Sequence, residues 1–251
     1  MANWLNVPHF PQSKVACVAL SSQETALANA LASLFISVLP VPAHPFLSSP
    51  VASHADLNLL DCGNGNFLIL PGASSSLSDS LHALGASVSF CTGTPGNHYP
   101  ADALLDAAIL GSDCLANPKT ATPDLSVLCF QKSLRLISVK QGYTKCSLIP
   151  LPGGGLITED SGIASTAHKH GYDVLLLRPG FVSLPGYSCG MIGGSCGMLS
   201  PDCLAFAGNW KLHPDATEIF AFCSNYHVFP EALASTPLRD VGGLLPLTIQ
   251  P

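Results

Sequence analysis

Short apolar runs alternate with turn clusters along this chain, and one order of elements recurs. It is clearest at residues 140–160, KQGYTKCSLIPLPGGGLITED. Residues 147–151 form one apolar run, residues 152–155 a Gly-rich turn, and Leu156-Ile157-Thr158 open a second run. Two such runs around a turn predict a β-hairpin. Asp160 or Ser161 can cap a helix that residues 163–169 carry to Gly171 as its stop. The run DVLLL at 173–177 then reads as a buried strand, closed by Pro179-Gly180.

The same order returns elsewhere. Residues 54–71 predict a hairpin turning at Gly63-Asn64-Gly65, followed by a helix at 76–84 and a strand at 86–90. Residues 101–117 predict a hairpin turning at Gly111-Ser112-Asp113, with the helix after it weak or lost. Residues 186–207 give a further hairpin, a helix at 215–224 and a strand at 226–229. Residues 238–249 supply a last hairpin-like segment, and residues 24–35 the first helix. A polar residue precedes the first strand of each hairpin: Asp56, Asp102, Lys145 with Cys146 beside it, Cys189 and Asp240. These positions lie 43 to 51 residues apart. Five similar units suit a closed ring, which shields sheet edges. The expected fold is α/β: five ββαβ units forming an α/β propeller in one domain over residues 1–251, with pseudo-fivefold symmetry. The five polar positions would then converge on a central channel.

Composition narrows the classes. The chain is 47% hydrophobic and 10% charged, against roughly 25% charged in ordinary domains. Its 21 prolines and 22 glycines fit many short elements with sharp turns. A net charge of −6 with no basic stripe argues against a nucleic-acid partner. The longest apolar stretch, residues 26–41, is interrupted by Asn29, Ser33, Ser37 and Pro40. It reads as a helix running into a strand, so no membrane partner is expected. No secretory pattern opens the chain, and the ten cysteines include no CxxC pair. The expectation is a cytoplasmic protein with reduced thiols, no metal and no cofactor.

Five ββαβ-type units resemble the pentein fold of guanidino-group-modifying enzymes. That group includes arginine deiminases, amidinotransferases and dimethylarginine hydrolases, and the non-catalytic ribosome anti-association factor is similar in fold. KQGYTKCS at 140–147, ITED at 157–160, GYSCGMIGGSCG at 186–197, HPD at 213–215 and RDVGGLLPL at 239–247 resemble an uncharacterised bacterial branch of that superfamily. The resemblance covers residues 53–247. It implies a small-molecule ligand in the channel and, for the catalytic members, a cysteine nucleophile in the last unit with an acid and a histidine from earlier units. Here the last unit reads Leu238-Arg239-Asp240-Val241-Gly242, with Asp240 in the place of the cysteine.

Two functions therefore stand side by side. One is an enzyme acting on a guanidino-like or other cationic nitrogen compound, related to hydrolases or amidinotransferases. The other is a ligand- or protein-binding member that has lost catalysis. Cys146 and Cys189 are the candidate nucleophiles, and His54 and Asp102 candidate catalytic partners. Asp56, Asp240, Lys145 and Tyr143 are the candidate ligand-binding set, since carboxylates can hold a guanidinium by paired hydrogen bonds. Strand alternation would put His54 and Asp56 on one face as a pair, and would turn Lys145 and Cys146 to opposite faces. His213 reads as a loop residue, and His168 and His170 as solvent-facing. Residues 193–197, GGSCG, also match the nucleophile elbow of serine hydrolases, with Ser195 as nucleophile. An elbow needs a helix after the serine, whereas the apolar run 198–207 reads as a strand. The glycines at 190, 193, 194 and 197 are better explained by close backbone approach.

Overall fold

The computed structural model describes residues 2–251. The chain opens with β1 (Asn3–Trp4), β2 (Val15–Ser21), α1 (Thr25–Ser33) and β3 (Ser37–Val41). A four-residue turn of helix, α2 (Ala55–Asn58), leads into β4 (Leu59–Asp61), β5 (Asn66–Ile69), α3 (Ser75–Ala83) and β6 (Ser87–Phe90). The next unit is β7 (Ala108–Leu110), β8 (Asp113–Ala116), α4 (Pro123–Gln131) and β9 (Arg135–Ser138). After it come β10 (Leu148–Leu151), β11 (Gly155–Thr158), α5 (Ser161–Lys169) and β12 (Asp173–Leu176). The last full unit is β13 (Cys196–Ser200), β14 (Cys203–Phe206), α6 (Ala216–Asn225) and β15 (Phe229–Ala232), and β16 (Leu245–Ile249) ends the chain.

These strands make five small sheets. In each, an antiparallel hairpin is joined by a parallel strand that returns after the helix, as β11 pairs antiparallel with β10 and parallel with β12. The fifth sheet, β1-β16-β2-β3, takes strands from both ends of the chain, so its hairpin partner β16 is supplied some 200 residues after β2.

The hairpin strands of each sheet are buried on both faces, and each face belongs to a different core, whereas the returning strands β6, β9, β12 and β15 are largely exposed. Leu148 and Leu156 pack with residues of the β7-β8-β9 sheet, whereas Ile149 and Ile157, one position along, pack with the β13-β14-β15 sheet. The same alternation divides Leu59 from Leu60, Ile109 from Ala108, and Leu204 from Ala205. There are five such clusters, each shared by two consecutive sheets, and the fifth joins the β13-β14-β15 sheet back to β2 and α1. Two-sided burial explains why the sequence shows continuous apolar runs rather than polar–apolar alternation. At about 25 cal/mol per Å² of apolar surface, these shared cores are what holds one sheet to the next.

Several expectations change. The helix after β8 is neither weak nor lost: α4 has nine residues, with Pro123 at its first position and the Thr122 hydroxyl accepting the Asp124 N–H. Its apolar residues fall on both faces, Leu125 and Cys129 inward and Val127 and Phe130 outward, which erases the helical period. The strand expected at 226–229 begins at Phe229, because Tyr226 caps α6 and His227 turns the chain with φ +56°. The fourth hairpin lies within 196–206 and turns at Pro201-Asp202, so residues 198–207 hold parts of two strands. No helix among the described residues is long and apolar enough to cross a membrane.

Candidate functional site

The segments entering the first strand of each unit are turns, not extended chain. This changes how their side chains are aimed. Lys145 and Cys146 sit in the turn before β10, so strand alternation does not separate them. Both reach the same atom: the Cys146 thiol donates to Asp56 Oδ2 at 3.1 Å, and Lys145 Nζ lies 3.8 Å from that oxygen. Asp56 and His54 are not strand neighbours either. His54 is the residue before α2 and Asp56 lies within it, and the acidic partner of His54 is Asp240, with Nδ1 3.7 Å from Oδ1.

Asp240 is fixed from both sides. Its Oδ2 accepts the Met191 N–H at 2.9 Å and its Oδ1 the Gly242 N–H at 3.1 Å. Close packing requires glycine here. A Cβ on Gly194 would stand 2.1 Å from Asp240 Oδ1, and one on Gly193 would stand 2.2 Å from the Leu148 carbonyl oxygen. The glycine run at 190–197 thus makes room for the Asp240 side chain and the Lys145 turn. Ser195 at its centre is fully buried and donates to the Ile192 carbonyl at 2.7 Å. Strand β13 follows it where a nucleophile elbow would have a helix, so the serine-hydrolase reading does not hold.

A cavity of about 60 Å³ opens beside this cluster. His54, Cys146 and Asp240 form its polar end, and Tyr187 and Cys189, both exposed, stand toward solvent. Between them the wall is apolar: Val51, Leu57, Tyr143, Leu184 and Met191. Asp102 stays outside the cavity and holds Tyr143, whose hydroxyl donates to Asp102 Oδ2 at 2.7 Å. All eight candidate residues therefore gather around one cavity, five lining it and Asp56, Lys145 and Asp102 standing behind. The five positions expected to be equivalent are not. Asp56 and Lys145 lie three residues before their strands, whereas Asp102, Cys189 and Asp240 lie further back, because the entering turns differ in length.

Two residues that sequence reasoning did not single out complete the cluster. Asp106 Oδ1 accepts the Lys145 N–H at 2.5 Å and the Cys146 N–H at 3.1 Å, fixing the turn that carries both. Glu159 Oε2 accepts the Ile192 N–H at 3.0 Å, and its Oε1 is buried with no partner. Asp106 lies two residues before a first strand, much as Asp56 lies three before its own, which is the signal that would have found it. Glu159 follows the second strand of its hairpin, and nothing in its local pattern marks it.

Burial governs the electrostatics. It pushes Asp106 up to about 8, with the charge of Asp56 adding to the shift, and Glu159 up to about 7. Asp240 is raised by burial, with His54 opposing. The Cys146 thiol is raised well above its ordinary value by burial and then by Asp106, Asp56 and Asp240, and Lys145 offsets only part of this. Burial works against the Lys145 charge, but Asp56 and its neighbours outweigh it and the ammonium is held charged. Its Nζ donates to the Gly193 carbonyl at 2.7 Å. On the far side of Lys145, His9 is buried and pushed down to about 3, first by burial and then by Lys145, so it stays neutral. The cluster thus has four acids and one fixed cation, an arrangement suited to receiving a further positive charge. Among the described residues no group of three or more His, Cys, Asp or Glu side chains is placed to hold a metal ion.

The fold is that of the pentein superfamily. An inosamine-phosphate amidinotransferase from Streptomyces griseus is similar with a TM-score of 0.57 at 12% identity, over 99% of this chain and 97% of that one. DDAH from Pseudomonas aeruginosa, solved with citrulline, is similar with a TM-score of 0.55 at 14% identity, over 88% of this chain and 93% of that one. An agmatine deiminase from C. jejuni, solved with substrate bound, is similar with a TM-score of 0.60 at 9% identity, over 98% of this chain and 96% of that one. No curated protein matches by sequence. The match that spans most of the chain, residues 19–245, is to a family of unknown function (DUF6873), and the chain belongs to that family.

Proposed function

We propose that this protein is a pentein-type enzyme acting on a guanidino-like or other cationic nitrogen small molecule, bound at the centre of a five-unit α/β propeller. The cyclic sharing of five cores by five sheets supports the closed ring. The observation that carries the chemistry is the cavity at which His54, Cys146 and Asp240, contributed by three different units, converge. Its volume of about 60 Å³ exceeds what a single ordered water needs and admits a small cationic head.

In this reading Asp240 holds the cation. Cys146 Sγ bonds to the amidine carbon as its proton passes to Asp56 Oδ2, the oxygen it already faces at 3.1 Å. The C–N bond to the departing amine breaks, and that amine leaves with a proton from His54. Water then adds to that carbon, giving a proton to His54, and the C–S bond breaks as Asp56 returns its proton to Sγ. The bound cation offsets the carboxylates that otherwise keep Cys146 protonated.

A second reading, a binding protein without turnover, is favoured by one observation: burial and the neighbouring carboxylates hold Cys146 strongly in its thiol form. Incubation with arginine, agmatine and N-methylated arginine, with chromatographic detection of ureido products and released amines, separates the two. The enzyme reading expects product formation that Cys146→Ser and Asp240→Asn each abolish. Binding without product would move the assignment to the second reading, and neither binding nor product would overturn both.

A further inference from the structure

The end of the first helix departs from a pattern that the other units share. Each of the five long-unit helices is followed by a residue in the left-handed region, where the chain reverses toward its returning strand. These are Phe35 after α1, Gly85 after α3, Ser133 after α4, Gly171 after α5 and His227 after α6, with φ between +54° and +93°. That region suits glycine and strains any larger side chain. Yet the first unit places a phenylalanine there and leaves it 84% exposed, with the exposed Leu34 beside it. Neither the turn nor the core calls for an aromatic at this position.

Leu34 borders a groove of about 620 Å³ between α1 and the β13-β14-β15 sheet. Leu34, Ile36, Leu199, Cys203 and Leu233 make its wall apolar, and Lys14 and Glu231 are the charged residues on it. The corresponding groove between the β4-β5-β6 sheet and α4 holds about 330 Å³ and is far more polar, with Asn66, Ser87, Ser89, Gln131 and Lys132 on its wall. There Lys132-Ser133 stand in the places of Leu34-Phe35. An exposed apolar groove beside a protruding aromatic marks an interaction surface. Both halves of a contact lie on this one face, an anchor and a place to seat it. Lys14 and Glu231 add one charge of each sign; both are exposed, and neither forms an ion pair among the described residues. A face that complements itself fits a two-fold axis, across which residue i meets j and j meets i. We infer that the protein pairs with a second copy of itself across this groove, with Phe35 of each copy seated in the groove of the other and Lys14 of each facing Glu231 of the other.

Sedimentation velocity of the intact protein across the micromolar range tests this. A concentration-dependent dimer is expected, and Phe35→Gly should raise its dissociation constant by at least about tenfold, as loss of an aromatic anchor does. In dilute solution, where both proteins are monomers, the glycine variant should unfold at no lower urea concentration, because glycine suits the turn. Lys14→Glu and Glu231→Lys should each dimerise weakly alone and recover the dimer when mixed, since both crossing pairs then return with their signs reversed. A monomer at every concentration, a dimer that Phe35→Gly leaves unchanged, or a mixture no tighter than its components would overturn the inference.

Discussion

The carboxylates at the rim of this molecule and those at its centre behave in opposite ways. Three of the outer carboxylates each have an arginine. Asp113 is gripped by Arg135 at 2.7 and 2.8 Å and Asp215 by Arg178, while Glu24 meets Arg239. Asp113 and Asp215 are held below the usual carboxylate range; for Asp113 burial works the other way and the hydrogen bonds from Arg135 and Tyr172 prevail, and for Asp215 the Arg178 hydrogen bond leads. At the centre Asp106, Glu159 and Asp240 are all raised, chiefly by burial, and no arginine reaches them. The three arginines of the chain are all spent at the rim. Residues 239 and 240 show the division in one step, with Arg239 turned outward to Glu24 and Asp240 inward to the cavity. Of the rim pairs Arg178–Asp215 joins two units, whereas Arg135–Asp113 lies within one sheet. The central acids accept backbone N–H groups but have no arginine, at a cost in stability, in the manner of a site that awaits a cation.

The largest effect should follow from removing the single central cation. Lys145→Met leaves Asp56 as a buried charge without its partner and should cost about 3–5 kcal/mol in urea unfolding. A loss no greater than that of Arg135→Ala would erase the distinction between centre and rim.

Gly194→Ala should come next, at about 1–3 kcal/mol, because its Cβ would stand 2.1 Å from Asp240 Oδ1. It should also weaken cation binding, read by calorimetric titration, whereas an alanine tolerated in both assays would mean that Asp240 is not held where described.

The two classes of acid also impose opposite pH dependences. A raised carboxyl keeps its proton in the folded state while the unfolded chain has lost it. Asp106 and Glu159 should therefore lower stability progressively as pH rises from about 4 toward about 7 to 8, with no further loss above. Asp113 and Asp215, held low, stabilise above the ordinary carboxylate range, and that contribution is lost as pH falls through their folded values. Stability should accordingly peak on the acidic side of neutrality, and Glu159→Gln should flatten the decline toward alkaline pH. Denaturation midpoints across that range decide this. The smallest change belongs to Arg135→Ala, whose guanidinium is half exposed and screened by solvent, so its unfolding curve should nearly overlay that of the unaltered protein.

Much of the fold was legible because each unit carries its own punctuation. Asp160 accepts the Ile163 N–H at 2.8 Å and starts α5 where the sequence placed it, and Gly63-Asn64-Gly65 turns the β4–β5 hairpin with all three residues at positive φ. Helix α4 was missed because Val127 and Phe130 are exposed apolar residues on its outer face. In the site, Cys146, Asp240 and Lys145 were legible as residue types before a first strand. Their partners were not: His54 meets Asp240, 186 positions away, and Glu159 reaches Ile192 across units. Such pairings depend on turn lengths that sequence spacing does not report.

The most direct test of the central claim is the proton count of cation binding. Titration with N,N-dimethylguanidinium in buffers of different ionisation enthalpy, near pH 6 and near pH 8, reads protons exchanged as well as affinity. A site built from raised carboxylates that no arginine neutralises should release protons on binding near pH 6 and bind more tightly near pH 8, and Asp240→Asn should weaken both effects. Binding with no proton release and equal affinity at the two pH values would contradict the account.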